Sequence, residues 1–207
     1  MRVATVFMAI LALVASSTAF AGTNPQVTIP LHAKTAVFEP CAGLAPVDCV
    51  STRPTVDAAA GNVAIFVTLM NYTGVAGLQT AFDNPSNWTF TFGSWDCQAG
   101  QLSAVSPAPP LGATAGTITT AFSCVTSGAL ITIGRMFFIA STGCISQVQS
   151  SYAFGIHVLD CQGGIDQITD NEQGRLGKIC VGSGGVDACD PISAVEATTW
   201  GQIKASY

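Results

Sequence analysis

Apolar and polar residues alternate with a period of two over much of the chain. Val27, Ile29 and Leu31 interleave with Thr28, Pro30 and His32, and Trp88, Phe90 and Phe92 interleave with Thr89 and Thr91. Ile118, Thr120 and Phe122 repeat the pattern. Successive side chains of a strand point to opposite faces, so each run predicts a strand with one buried and one wet side, and Trp88, Phe90 and Phe92 are expected on the same buried face. Val63 to Met70 and Leu130 to Ile139 are apolar on both faces and predict central strands of a packed sandwich. Tyr152 to Leu159 and Lys178 to Val181 supply late strands.

Turn-forming clusters separate these runs: Asn71 to Gly74, Asp83 to Asn87, Ser106 to Gly116, Thr126 to Gly128, and Gly163-Gly164. Punctuation by Gly, Pro and Asn at such short intervals is what an all-β sandwich requires. The central region has no sustained helical period and no internal repeat. After Pro191 the pattern changes: Thr198 or Thr199 can cap a short helix that places Trp200, Ile203 and Tyr207 on one stripe. The expectation is an all-β, two-sheet sandwich of about eight or nine strands, jelly-roll or related in arrangement, with a short C-terminal helix.

The N-terminus carries different information. Arg2 precedes an uncharged apolar stretch from Ala4 to Val14, and small residues follow up to Ala19-Phe20-Ala21. That is the layout of an export signal cut after Ala21, and the apolar run is about half of the roughly 20 residues a membrane-spanning helix needs. The expected division is therefore 1–21 signal peptide, 22–190 sandwich and 191–207 helical tail. Removing 21 of 207 residues leaves about 186, enough for one domain. No later segment is long and apolar enough to be a spanning helix. The expected location is extracellular or periplasmic.

All eight cysteines, Cys41, Cys49, Cys97, Cys124, Cys144, Cys161, Cys180 and Cys189, follow the signal. An even count in an exported chain reads as four disulfides, with 105 possible pairings. Sequential pairing, 41 with 49, 97 with 124, 144 with 161 and 180 with 189, is the simplest expectation. The absence of Cys-x-x-Cys and the presence of two His, His32 and His157, weigh against zinc. Seven Lys and Arg stand against twelve Asp and Glu, without a basic cluster, which argues against a nucleic-acid partner.

The run from Gly61-Asn62-Val63 through Asn71-Tyr72-Thr73-Gly74 to Ala81-Phe82-Asp83 resembles the opening of bacterial cohesin-like domains, with an apolar strand, a Gly-bearing turn and a strand ending near an Asp. Trp88 to Trp95 matches their aromatic segment, and Gly128 to Ile139 their later apolar strand. The resemblance covers roughly residues 26–160 and implies a cohesin-like sandwich. The tail, from His157-Val158-Leu159-Asp160-Cys161 through Cys180 and Cys189 to Thr199-Trp200-Gly201, resembles small secreted bacterial proteins that add such a tail to the sandwich. That likeness brings no activity with it.

Chemistry is sparse. Both His residues lie in strand-like runs, and neither a Gly-x-Ser-x-Gly elbow nor a His-Glu-x-x-His helix is present. A glycoside hydrolase needs only two suitably spaced acids and stays open as an alternative. Asp160 to Glu172 is the densest acidic stretch, and Asp160, Asp166, Asp170 and Glu172 could give oxygens to calcium, although the spacing is not that of a calcium loop. No other cofactor is expected. Asn71-Tyr72-Thr73 and Asn87-Trp88-Thr89 match the N-glycosylation signal, expected to be unused in a bacterial protein. Tyr72 in a turn, Trp95 beside Asp96 and Trp200 in the tail are the candidate ligand-binding aromatics, because flat amphipathic rings suit both sugar and protein interfaces. The function expected is a secreted, non-enzymatic binding or cell-surface structural protein, with an extracellular glycan or protein as partner. A subunit of an extracellular assembly is a further alternative.

Overall fold

A computed structural model describes residues 22–36, 38, 41, 45–57, 61–83, 85–106, 116–126, 128, 130–150, 155–168 and 174–189. The expected signal over 1–21 and helical tail over 191–207 lie outside the described residues, as do Asp170, Glu172 and Trp200. Among the described residues twelve strands follow one another: β1 (Leu31–Thr35), β2 (Thr55–Val56), β3 (Gly61–Met70), β4 (Gly74–Asp83), β5 (Thr89–Ser94), β6 (Leu102–Ser106), β7 (Gly116–Thr126), β8 (Leu130–Ala140), β9 (Gly143–Val148), β10 (Ile156–Asp160), β11 (Ile165–Ile168) and β12 (Lys178–Val181). The all-β class is as expected. The count exceeds eight or nine because short strands such as β2 and β11 carry too few residues to show an alternation of their own.

The strands form two sheets. One has the order β1-β3-β8-β5. The other runs β11-β10-β4-β9-β12-β2, with β7 also on β4 and β6 beyond β7. The two strands apolar on both sides, β3 and β8, pair antiparallel from Gly61 opposite Ala140 to Met70 opposite Leu130 and form the centre of the four-stranded sheet. Val63, Ile65, Val67 and Leu69 of β3, with Ile133, Met136 and Phe138 of β8, face the interior. There they meet Val75, Leu78 and Phe82 of β4, Ile118 of β7, Ile145 of β9 and Val158 of β10. Each such side chain withdrawn from water contributes about 1.5–3 kcal/mol, which makes this layer the main source of stability. Trp88 belongs to it: its ring meets Phe138 edge-on, and its indole N–H donates to the Ser141 carbonyl at 2.9 Å.

Phe92 departs from the alternation that places it beside Trp88 and Phe90. The register of β5 on β8 shifts between Phe90 and Phe92, so Phe90 lies opposite Phe138 whereas Phe92 lies opposite Phe137. One extra residue in a strand turns every later side chain to the other face, and Phe92 therefore points outward. Thr91, at the irregularity, donates its hydroxyl to the Phe137 carbonyl at 3.0 Å.

All eight cysteines are paired, but not sequentially. The disulfides are Cys41–Cys97, Cys49–Cys189, Cys124–Cys161 and Cys144–Cys180, spanning 56, 140, 37 and 36 residues. The sandwich brings together cysteines that are not neighbours in the chain. Cys144 and Cys180 face each other directly across the β9–β12 ladder. Cys41–Cys97 and Cys49–Cys189 both anchor the segment between β1 and β2, called the strap below.

Candidate functional site

The two outer faces of the sandwich differ in chemistry. On the eight-stranded sheet the outward positions are largely polar: Gln79 donates to the Gly155 carbonyl at 2.9 Å and accepts from the Thr119 hydroxyl at 3.1 Å, and His157 sits in register with Gln79 and Gln167. On the four-stranded sheet, β8 turns Arg135, Phe137 and Ile139 outward, while β3 contributes Ala64 and Phe66. Ala64, Phe66 and Phe137 form a second buried cluster, against which Ala36 and Ala45 of the strap pack.

Phe38 of the strap and Phe92 complete this face. Their rings lie 5.8 and 5.2 Å from that of Phe137 and 6.0 Å from each other, all three nearly parallel. Phe137 is covered, yet Phe38 is 62% and Phe92 39% exposed, and Ile139 beside them is 52% exposed. Offset aromatic contacts of this kind hold rings in place beyond what burial alone supplies. The result is a stacked aromatic pair that presents apolar surface to water.

Arg135 lies under the same strap. Its guanidinium is 5.8 Å from the centre of the Phe38 ring, contacts the Cys41 sulfur, and meets the Asp96 carboxylate at 3.4 Å. Its side chain is almost covered whereas Asp96 is open to water, so the pair reaches from interior to rim. Beside the Cys41–Cys97 bridge a cavity of about 400 Å³ opens between Pro46 and Val47 of the strap and Leu130, Ile131 and Thr132 of β8. A smaller one, about 300 Å³, lies at Val50, Asp187 and the Cys49–Cys189 bridge.

His32, on β1, closes the other side of the face. Its ring lies 5.8 Å from that of Phe66, and its Nδ1 accepts the Arg53 backbone N–H at 3.0 Å. Its pKa is lowered from 6.5 to about 4, first by burial and then by the charges of Arg53 and Lys34, with Asp187 opposing them. Burial also lowers the pKa of His157. The two imidazoles stand on opposite outer faces of the sandwich and cannot act on one substrate together.

The structure buries two of the expected binding aromatics, Tyr72 and Trp95. Tyr72 is buried: it follows Asn71, whose φ of 55° turns the chain, and its ring joins the inner core with its hydroxyl against Gly128. Trp95 is only 9% exposed, because Gly134 across the sheet has no side chain and leaves room for the indole. Among the expected calcium ligands, Asp160 accepts backbone N–H groups from Gln162, Gly164 and Thr23, and Asp166 accepts one from Asn24. Burial alone would raise the Asp160 pKa, but these hydrogen bonds outweigh it and hold it low. The sulfurs that approach Asp96 and Asp187 are joined in disulfides and offer no thiolate to a metal.

Sequence reasoning passed over Phe38, Phe92, Phe137 and Arg135. A signal was present: a strand apolar on both sides needs cover on both sides, and β8 has the other sheet on one side only.

No family model matches the chain, and no curated protein matches it. Among solved structures, it is similar to a cohesin module from a Clostridium perfringens family 33 glycoside hydrolase, at 8% identity and a TM-score of 0.45, over 75% of this chain and 98% of that one. It is also similar to a type II cohesin–X–dockerin complex from Acetivibrio cellulolyticus, at 14% identity and a TM-score of 0.39, over 57% of this chain and 87% of that one.

Proposed function

We propose that the chain is a secreted, non-catalytic binding module that docks a protein partner on the outer face of its four-stranded sheet. The observation that carries this reading is the exposed pair Phe38 and Phe92, stacked on buried Phe137 and continued by exposed Ile139. A contiguous, preorganised aromatic patch beside a cavity is what interface anchors look like, because little rotamer entropy is lost when a partner covers it. Sugars also stack on aromatic rings, but their recognition adds polar groups next to the ring. Here the ring neighbours are Phe38, Phe137 and the Arg135 cation that Asp96 already engages. Secretion rests on the signal-like segment 1–21 and agrees with four disulfides, which persist in oxidising compartments.

The test is a binding screen of the secreted chain against extracellular proteins of its source and a glycan array, repeated with F38S/F92S. Losing two anchors is expected to weaken a protein interaction by about 30-fold or more while thermal unfolding stays cooperative. Binding unaffected by the double substitution would remove the assigned face. A glycoside cleaved by the chain, with cleavage abolished by an Asp-to-Asn change, would replace the reading with an enzymatic one.

A further inference from the structure

The first described residues are tied into the fold at a specific place. The Gly22 N–H donates to the Ile165 carbonyl at 3.2 Å, that of Thr23 to Asp160 Oδ2 at 3.1 Å and that of Asn24 to Asp166 Oδ2 at 2.7 Å. The Asn24 side chain spans to the β3–β4 turn, donating to the Gly74 carbonyl at 2.9 Å and accepting from the Thr73 N–H at 2.7 Å. Gly22 itself fits between Asp166 and Gly164. A Cβ on Gly22 would lie 2.1 Å from Asp166 Oδ2 and 2.8 Å from Oδ1, and a Cβ on Gly164 would lie 2.9 Å from the Gly22 Cα. Any larger residue at position 22 would therefore have to displace the Asp166 carboxylate.

The acceptors around Gly22 are unequally used. Asp160 spends Oδ1 on Gln162 and Gly164 and Oδ2 on Thr23. Asp166, 8% exposed, spends Oδ2 on Asn24, and no described residue donates to its Oδ1. From the 2.1 Å approach and two bonds of about 1.5 Å each, the Gly22 nitrogen lies within about 5 Å of the Asp166 carboxylate. At that distance opposite charges stabilise one another strongly in a buried setting.

We infer that this cradle is a binding site for the chain's own processed N-terminus: cleavage after Ala21 creates a Gly22 α-ammonium that pairs with Asp166. Cleavage by a signal peptidase adds water across the Ala21–Gly22 bond. The Ala21 carbonyl carbon keeps the hydroxyl and ends as a carboxylate, and the Gly22 nitrogen leaves as an amine that takes up a proton. Before cleavage that nitrogen is a neutral amide with one hydrogen, already given to Ile165. Afterwards it has further hydrogens and a positive charge, matched to the uncommitted oxygen of Asp166. Processing then adds this ion pair to the hydrogen bonds by which Asn24 already ties the β10–β11 hairpin, through Asp166, and the β3–β4 turn to the N-terminal segment. The idea is independent of the binding face, which lies on the other sheet.

The experiment compares the natively secreted chain with the same chain made with Ala21 retained, and with the secreted chain acetylated at Gly22. N-terminal sequencing of the secreted form is expected to begin at Gly22. Its thermal midpoint is expected to exceed those of the retained-Ala21 and acetylated forms by about 3–6 °C. Its α-amine is expected to react with an amine-labelling reagent at least tenfold more slowly than a free Gly-Thr-Asn peptide, and D166N is expected to erase the midpoint difference. Acetylation removes the charge without changing a side chain, so the comparison survives if D166N fails to fold. A start other than Gly22, equal midpoints, or labelling at the free-peptide rate would overturn the inference.

Discussion

Gly134 and Trp95 illustrate how one absent side chain positions another. A Cβ at 134 would lie 2.3 Å from the Trp95 Cε3 and 2.8 Å from its Cδ2, well inside contact distance and against a rigid ring. Gly134→Ala is therefore expected to cost about 2–3 kcal/mol and to push the indole toward water. A lower urea midpoint together with red-shifted tryptophan emission would show this, and an unchanged spectrum would mean that Trp95 is seated by other contacts. The sequence placed Trp95 next to Asp96 and Cys97 at a strand end, a reasonable surface position. Asp96 is indeed open, but the vacancy over Gly134 is a property of a strand some forty residues away, so Trp95 is buried. Tyr72 errs in the same direction, since a residue in a short turn can still point inward.

At the level of elements, the strap decides what the outer face becomes. β3 and β8 were legible as strands with two apolar sides, and they pair over the stretches Val63 to Met70 and Leu130 to Ile139 with one register shift, between Val67 and Thr68. The shift between Phe90 and Phe92 was not legible, because a bulge is set by how β5 pairs with β8 and leaves no mark in local composition. The strap covers Phe66 and most of Phe137 and is anchored by two disulfides. Replacing Cys41 and Cys97 together with Ser should cost about 2–4 kcal/mol while leaving the strand ladders intact. Far-UV circular dichroism is expected to be unchanged and binding of a hydrophobic dye to rise as the strap lifts from Phe66 and Phe137. If dye binding and thermal midpoint both match those of the parent chain, this bridge does not hold the strap.

Across the whole molecule, pH reports on how distant parts converge. His32 of β1 touches Phe66 of β3, accepts from Arg53 of the strap and feels Asp187 near the last disulfide. Its folded pKa of about 4 lies below the unfolded value of 6.5, so between these limits the unfolded chain binds more protons. Stability from His32 is thus complete above about pH 6.5 and lost as pH falls toward 4. Asp160 acts in a lower window: its depressed pKa contributes stability above the ordinary carboxylate range, lost as pH falls through its folded value. Urea midpoints measured from pH 7 to pH 4 are expected to decline in the parent chain and to decline less in His32→Asn, which can still accept from Arg53. Parallel curves would show that His32 does not govern this range.

The sequence alone determined what is local: period-two strands, turns at Gly, Asn and Pro, two strands apolar on both sides, and an even set of cysteines fit for oxidation. Those features follow from the geometry of a pleated chain and from the medium each side chain meets. The tertiary structure alone decided which cysteines join across separations of 36 to 140 residues, which side of β5 carries Phe92, and which acids are capped by the N-terminal segment. Each of these depends on two segments far apart in the chain arriving side by side, and periodicity within either one carries no record of its partner.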